Sequence, residues 1–342
     1  MDTKDKIDLI TRGLEEVINE AELNKIVKER DLVIYWGTAP TGRIHIGYLI
    51  PFTKLADFLE AGSKVKVLIA DIHAFLDSQK TPEELLDLRS KYYEKVIKET
   101  LKAMKVPVEK LEFVKGSSYQ LSKEYTRDVY RFASIVTNAE AKKAGAEVVK
   151  QSDNPRMAPL LYPLLQALDE KYLKVDAQFG GSDQRKIFVL AHEYLPKLGY
   201  RQRIHFMTPM LPGLTGDKMS SSVEESKIDL LDDPEGIQNK VKKAFCTDSI
   251  ENNAILMFTK AVLFPYFKRT GKTFMVTRPE KFGGNLEFKT YAELEKIYAE
   301  KKLHPLDLKI AVGNVLVELL EPVRKAFEKG ENKKLVEDAY KK

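Results

Sequence analysis

The chain has 342 residues, 43% hydrophobic and 31% charged, with 56 lysines and arginines against 51 aspartates and glutamates. That size and balance imply a soluble chain of two domains able to bury a sizeable core, and no apolar run approaches the roughly 18 residues of a membrane span. Cys246 is the single cysteine, which excludes an intramolecular disulfide and a cysteine-based zinc site. Met1 to Lys6 carries charges of both signs and no apolar signal core, so a cytoplasmic location is expected. Positive charge is uneven: from Pro234 onward there are 21 lysines and arginines against 15 carboxylates, whereas the preceding part is almost neutral. A polyanionic partner docking on the C-terminal third would fit that distribution, as would simple solubility.

Residues 7–27 read as one or two amphipathic packing helices, with Ile7, Ile10, Leu14, Val17 and Ile18 on one face. Residues 32–36 read as an apolar strand. It runs into the turn Gly37-Thr38-Ala39-Pro40-Thr41-Gly42-Arg43-Ile44-His45-Ile46-Gly47-Tyr48 and then into a helix through Leu59. Strand, glycine-bearing turn and helix is the geometry in which backbone N–H groups and a helix N-terminus face an anion. Gly37 and Gly42 allow close backbone approach, and His45 and Gly47 sit where the helix opens. Residues 65–71 form a second buried-strand pattern. The resulting βαβ unit predicts a parallel, doubly wound sheet whose ligand edge holds Tyr35 and Asp71-Ile72-His73-Ala74.

Thr81-Pro82-Glu83-Glu84 reads as a capping box before a long helix through Met104. Residues 111–115 read as a strand and 123–137 as a helical stretch. In residues 160–169, Tyr162, Gln166 and Asp169 fall on one helical face among leucines. A buried polar stripe needs partners, from the protein or from a polar ligand. Residues 175–179 read as another strand, followed by the turn 180–186 and a helix over 187–195. The polar loop Gly216-Asp217-Lys218-Met219-Ser220-Ser221-Ser222 precedes a linker near 227–233. Charged helices over 233–245 and 252–264 follow, then a last helix ending near Phe327. The lysine-rich end reads as a frayed tail.

The turn at 37–48 and the loop at 216–222 together resemble the two signatures of class I aminoacyl-tRNA synthetases. Tyr48 replaces the last histidine of the His-Ile-Gly-His element, and Ser221 replaces the second lysine of the Lys-Met-Ser-Lys-Ser loop. With the residues between them, the match is similar to the tyrosyl-tRNA synthetases of archaeal and eukaryotic cytosolic type, from about residue 8 to about residue 327. The resemblance implies an α/β fold: a doubly wound, Rossmann-like catalytic domain with a helical insertion, then a mainly α-helical anticodon-binding domain. It implies N-terminal helices over 1–30, the catalytic domain over 31–232 (insertion about 110–160, signature loop 216–224) and the anticodon domain over 233–342. No further C-terminal domain is expected.

The activity so implied is tyrosine–tRNA ligase: ATP and L-tyrosine give tyrosyl-adenylate and pyrophosphate, and the tyrosyl group passes to tRNA(Tyr). Mg²⁺ would come with the triphosphate, without a dedicated protein metal site, and the chain would form a homodimer. Gly37, Thr38, Pro40, Gly42, His45, Gly47, Lys218 and Met219 would bind ATP. His45, Lys218, Ser220, Ser221 and Ser222 would stabilise the phosphoryl charge of the transfer. Tyr35 and Asp169 would contact the phenolic hydroxyl, and Tyr162, Gln166 and Gln184 the α-ammonium end. Phe282, His304 and Asp307 would read the wobble guanine, and Lys143 and Arg185 would approach the acceptor stem. The alternatives are the tryptophanyl enzyme, against which Tyr35 and Asp169 argue, and a non-catalytic tRNA-binding paralogue.

Overall fold

The computed structural model describes residues 1–77, 80–149, 156–210, 213 and 227–341. Helices α1 (Thr3–Thr11) and α2 (Glu20–Glu29) flank a short strand, β1 (Glu16–Ile18). Residues 7–27 are therefore not helical throughout. Gly13 takes a left-handed turn (φ 69°) after α1, and Val17 and Ile18 pair antiparallel with Phe206 and His205. Tertiary pairing overrides the helical spacing there.

The nucleotide-fold core runs β2 (Val33–Thr38), α3 (Leu49–Glu60), β3 (Lys64–Ile69), α4 (Asp71–Leu76), α5 (Leu86–Ala103), β4 (Leu111–Lys115), α6 (Ser117–Gln120), α7 (Lys123–Ala133), α8 (Asn138–Gly145), α9 (Met157–Tyr172), β5 (Ala177–Gly181), α10 (Arg185–Tyr194) and β6 (Ile204–Thr208). The sheet order is β1-β6-β5-β2-β3-β4, parallel except for β1. Strands β3 and β4 add to one side of β2, and β5 and β6 to the other. The order thus reverses between β2 and β5, and the carboxyl ends of these two strands open a crevice. Alternation sends Ile34, Trp36, Val65 and Val67 into a core with Phe52, Phe58, Val96 and Ile97. Tyr35 and Leu68 face the opposite side, with Leu173 and Val175.

Thr81 does not cap α5. Its hydroxyl donates to the Pro40 carbonyl at 2.7 Å, and a short 3₁₀ turn (Glu83–Leu85) leads into the helix. The C-terminal third holds α11 (Pro234–Lys243), α12 (Ala254–Phe258), α13 (Phe264–Thr270), an antiparallel pair β7 (Phe274–Val276) and β8 (Leu286–Phe288), α14 (Tyr291–Ala299), α15 (Pro305–Phe327) and α16 (Gly330–Ala339). A π-helical turn (Thr259–Leu263) joins α12 to α13. The lysine-rich end is thus a helix and not a frayed tail. Leu335, Val336 and Tyr340 pack on the core, Ala339 is fully buried, and Arg89 lies 4.8 Å over the Tyr340 ring.

Helix α3 is tied through Asp57 to the turn after α1 and to α13. Its carboxylate pairs with Arg12, takes Lys54 at 3.4 Å and lies 3.8 Å from Arg269. Lys54 also donates to the carbonyls of Leu9 (3.0 Å) and Arg12 (2.8 Å).

Candidate active site

A cavity of about 360 Å³ occupies the crevice between β2 and β5. Tyr35 enters from the middle of β2, and Gln178 stands opposite it in register on β5. Tyr162, Gln166 and Asp169 line the cavity from one face of α9, as their spacing of four and three requires. Gln184 comes from the turn after β5, and Gln166 Nε2 donates to its Oε1 at 3.1 Å. All five predicted amino-acid-pocket residues therefore line one space.

Asp169 is fully buried, and its two oxygens are treated differently. Oδ1 accepts from Tyr119 OH, Gln120 Nε2 and Tyr125 OH, each at 2.8 Å. Oδ2 is buried with no hydrogen-bond partner, and His73 Nε2 is 3.8 Å away. Burial pushes the carboxyl up to about 7, against the three donors that favour its charged form. The Tyr35 hydroxyl is raised well above its ordinary range, first by burial and then by the Asp169 charge. It donates to the Gln166 carbonyl at 3.2 Å, long for a hydroxyl donor. His73 packs edge-on against Tyr162, and burial lowers it to about 3, so it is neutral at pH 7. Both His73 nitrogens and Gln178 Oε1 also lack partners. Several unsatisfied polar atoms lining one cavity are what a polar ligand would satisfy.

The residues that sequence reasoning missed are Tyr119, Gln120 and Tyr125, which hold Asp169, and Gln178. No local pattern marks them, because the three hydrogen bonds to Asp169 span 44–50 residues. His73 was placed at the ligand edge without a role.

A second cavity of about 330 Å³ adjoins the first, sharing Trp36, Tyr48, Phe179, Gly180, Gly181 and Asp183, and adding His45 and Gly47. A Cβ on Gly180 would sit 2.9 Å from Gln184 Cγ, and one on Gly181 2.7 Å from Asp183 Oδ1, so a side chain at either position would displace Gln184 or Asp183. His45 caps a 3₁₀ turn (Ile46–Tyr48), and its Nδ1 accepts the Gly47 N–H at 3.2 Å. Burial, then the Lys227 charge, lower the imidazole to about 4. It is neutral at pH 7, and the bond at Nδ1 leaves its proton on Nε2 as a donor.

Gly37 and Thr38 line the first cavity; Pro40 and Gly42 line neither. The Gly42 carbonyl instead accepts from the hydroxyls of Tyr93 (2.7 Å) and Tyr340 (3.0 Å). Lys218, Met219, Ser220, Ser221 and Ser222 lie outside the described residues. The chain just beyond them runs antiparallel to the turn: Ile46 N–H donates to the Ile228 carbonyl at 2.9 Å, and Arg43 pairs with Asp229 at 2.9 Å.

In the C-terminal third, Phe282 is 58% exposed, in a loop closed by Gly283 and Gly284. Arg278 ties that loop to the connection between α14 and α15, donating to the carbonyls of Gly284 (2.6 Å) and Lys302 (2.8 Å). His304 caps α15, and Asp307 sits in its first turn. Lys143 is exposed on α8, which packs on α10; Arg185 opens α10 and is held in a two-pronged pair with Glu16 (2.6 and 2.9 Å).

A sheet that is parallel but for β1, with an amino-acid-sized polar pocket at its switch point beside the His45–Gly47 turn, is a fold of the class I synthetase kind. Residues 27–321 match the family described as tRNA synthetases class I (W and Y), and the chain belongs to that family. It is 57% identical over 337 residues to a Danio rerio protein named tyrosine–tRNA ligase, cytoplasmic, covering 98% of this chain and 63% of that relative. The chain thus spans less than two thirds of the length of that vertebrate protein. A Saccharomyces cerevisiae protein of the same name is 51% identical, covering 96% of this chain and 85% of its own length. The crystal structure of the Archaeoglobus fulgidus tyrosyl-tRNA synthetase complexed with L-tyrosine superposes with a TM-score of 0.88 at 41% identity, covering 95% of this chain and 99% of that one.

Proposed function

We propose that the chain is an ATP-dependent tyrosine–tRNA ligase that forms tyrosyl-adenylate and pyrophosphate and then esterifies the 3′-terminal adenosine of tRNA(Tyr). One observation carries this reading: the buried Asp169 has one oxygen saturated by three donors and the other unpartnered beside the cavity. A phenol O–H donating to Oδ2, and accepting from Tyr35, leaves none of these three groups unpaired. Phenylalanine would strand both partners, at a few kcal/mol. Tyrosyl-tRNA synthetases are the standard example of such discrimination, rejecting phenylalanine by about 10⁵-fold, and the stranded pair supplies the direction of that effect here. Tyr162, Gln166 and Gln184 would hold the α-ammonium group, which turns the substrate carboxylate toward the His45 cavity.

There His45 would donate from Nε2 to the phosphates as a neutral hydrogen-bond donor. Lys218 would supply the compact positive charge that suits the departing pyrophosphate. Catalysis is then mostly positioning and electrostatic stabilisation. Mg²⁺ would ride on the triphosphate, since it readily takes phosphate and water oxygens.

On this reading the chain divides into N-terminal helices (1–30), a catalytic domain (31–232) and an anticodon-binding domain (233–342), and works in the cytoplasm as do the relatives so named. On the same reading the chain acts as a homodimer, and Leu121, Tyr130 and Met157, each more than 60% exposed, are apolar side chains available to an interface. The anticodon reading predicts that Asp307→Ala weakens aminoacylation of a guanine-wobble tRNA by about 1–3 kcal/mol in kcat/KM. Unchanged charging would remove that carboxylate from the pocket.

The carboxyl near 7 also sets a pH dependence. The phenol needs the ionised acceptor, which is lost as pH falls through about 7. The KM for tyrosine is therefore expected to rise several-fold between about pH 8 and about pH 6, as read by steady-state exchange kinetics. A flat profile would mean that Asp169 stays ionised. Pyrophosphate exchange driven by each of the twenty amino acids tests the function itself: tyrosine alone should support it. Exchange with tryptophan instead would favour the tryptophanyl enzyme, and exchange with none a non-catalytic tRNA-binding paralogue.

A further inference from the structure

The sheet face that holds the tyrosine pocket has a second cavity at the other end of its strands. This space of about 390 Å³ is lined by Val33, Val65, four lysines (Lys64, Lys66, Lys110 and Lys174) and one carboxylate, Glu112. Register places Lys64 beside Val33, and Lys66 between Tyr35 and Glu112, so all share the face that carries Tyr35 and Leu68 further along. An apolar plug of Tyr35, Leu68, Leu173 and Val175 lies on that face; Tyr35 borders the upper cavity and its neighbour Val33 the lower.

The lysines come from separate connections. Lys64 opens β3, Lys110 closes a 3₁₀ turn (Val108–Lys110) before β4, and Lys174 follows the end of α9. Lys174 has a φ of 55°, a left-handed backbone that glycine or asparagine would adopt at less cost. Lys66 is taken by Glu112 at 3.1 Å. The ammonium groups of Lys64, Lys110 and Lys174 make no ion pair or hydrogen bond among the described residues, and Lys174 leaves the last carbonyls of α9 without its donation. Lys64, Lys110 and Lys174 are exposed at the mouth of one cavity, where a multivalent anion could be held between their like charges.

We propose that this cavity binds a compact polyphosphate, either a free inorganic chain or the triphosphate tail of a nucleotide. The site is separate from the tyrosine and ATP cavities and independent of the function assigned to them.

Calorimetric titration of the full chain with inorganic tripolyphosphate, at low ionic strength and saturating L-tyrosine, tests it. The wild type should show one binding site more than Lys64→Gln/Lys110→Gln/Lys174→Gln, or an affinity about tenfold or more higher, and the difference should vanish as salt is raised. The corresponding triple arginine variant should keep the site, which separates charge from folding. ATP should displace tripolyphosphate from this site if a nucleotide tail is the ligand, and leave it bound if the free chain is. Identical titrations for the wild type and the glutamine variant would overturn the proposal. So would a glutamine variant that loses affinity for a single-stranded RNA oligonucleotide while binding tripolyphosphate unchanged. Tyrosine-driven pyrophosphate exchange should be equal in all three proteins; its absence from all of them would count against the ligase reading and leave this one standing.

Discussion

Asp169→Asn is expected to lower kcat/KM for tyrosine-dependent pyrophosphate exchange by roughly a hundredfold or more, about 3 kcal/mol. The amide keeps the oxygen that Tyr119, Gln120 and Tyr125 donate to, so the fold and the cradle survive. The change falls on Oδ2, where an NH₂ group replaces an acceptor and can only donate. A phenol O–H would then meet a donor, and the Tyr35 hydroxyl would compete for the same phenol oxygen. Steady-state exchange with a thermal melt as control separates the two effects. An intact melt with an unchanged rate would mean that the substrate never touches this carboxylate.

The second large effect is on stability. Asp57→Ala should destabilise the chain by about 3–5 kcal/mol in urea unfolding, because it leaves Lys54, 4% exposed, and Arg12 without their counter-charge, while Arg269 keeps Glu60 at 2.5 Å. Burial pushes the Asp57 carboxyl up and lowers Lys54 to about 8, so desolvation outweighs attraction in this cluster. It follows that Lys54→Met combined with Asp57→Leu should cost far less than Asp57→Ala alone. A larger loss in the double variant would show that the ion pair itself stabilises the junction of α3 with the turn after α1 and with α13.

The ordering of the pocket was legible where one element carries the pattern. The spacing of Tyr162, Gln166 and Asp169 placed them on one face of α9, and the strand–turn–helix at 32–59 placed His45 at an anion-facing turn. What could not be read is what holds Asp169. Tyr119, Gln120 and Tyr125 reach it only once α6 and α7 fold over α9, and their own neighbourhood looks like ordinary helix. The short strand β1 escaped for a related reason: Glu16–Ile18 is extended because β6 offers an edge, while its spacing suits a helix equally well. At the other end, lysines in α16 hid the apolar face of Leu335, Val336 and Tyr340 that docks the helix.

All of this depends on a phenolic oxygen being seated between the unpartnered oxygen of Asp169 and the hydroxyl of Tyr35. A crystal structure of the chain grown with L-tyrosine measures that most directly. The expected result is a phenolic oxygen within about 3 Å of both atoms, with the Tyr35 hydroxyl released from the Gln166 carbonyl. Tyrosine bound with its amino group at that end, or Asp169 Oδ2 still without a partner, would contradict the assignment.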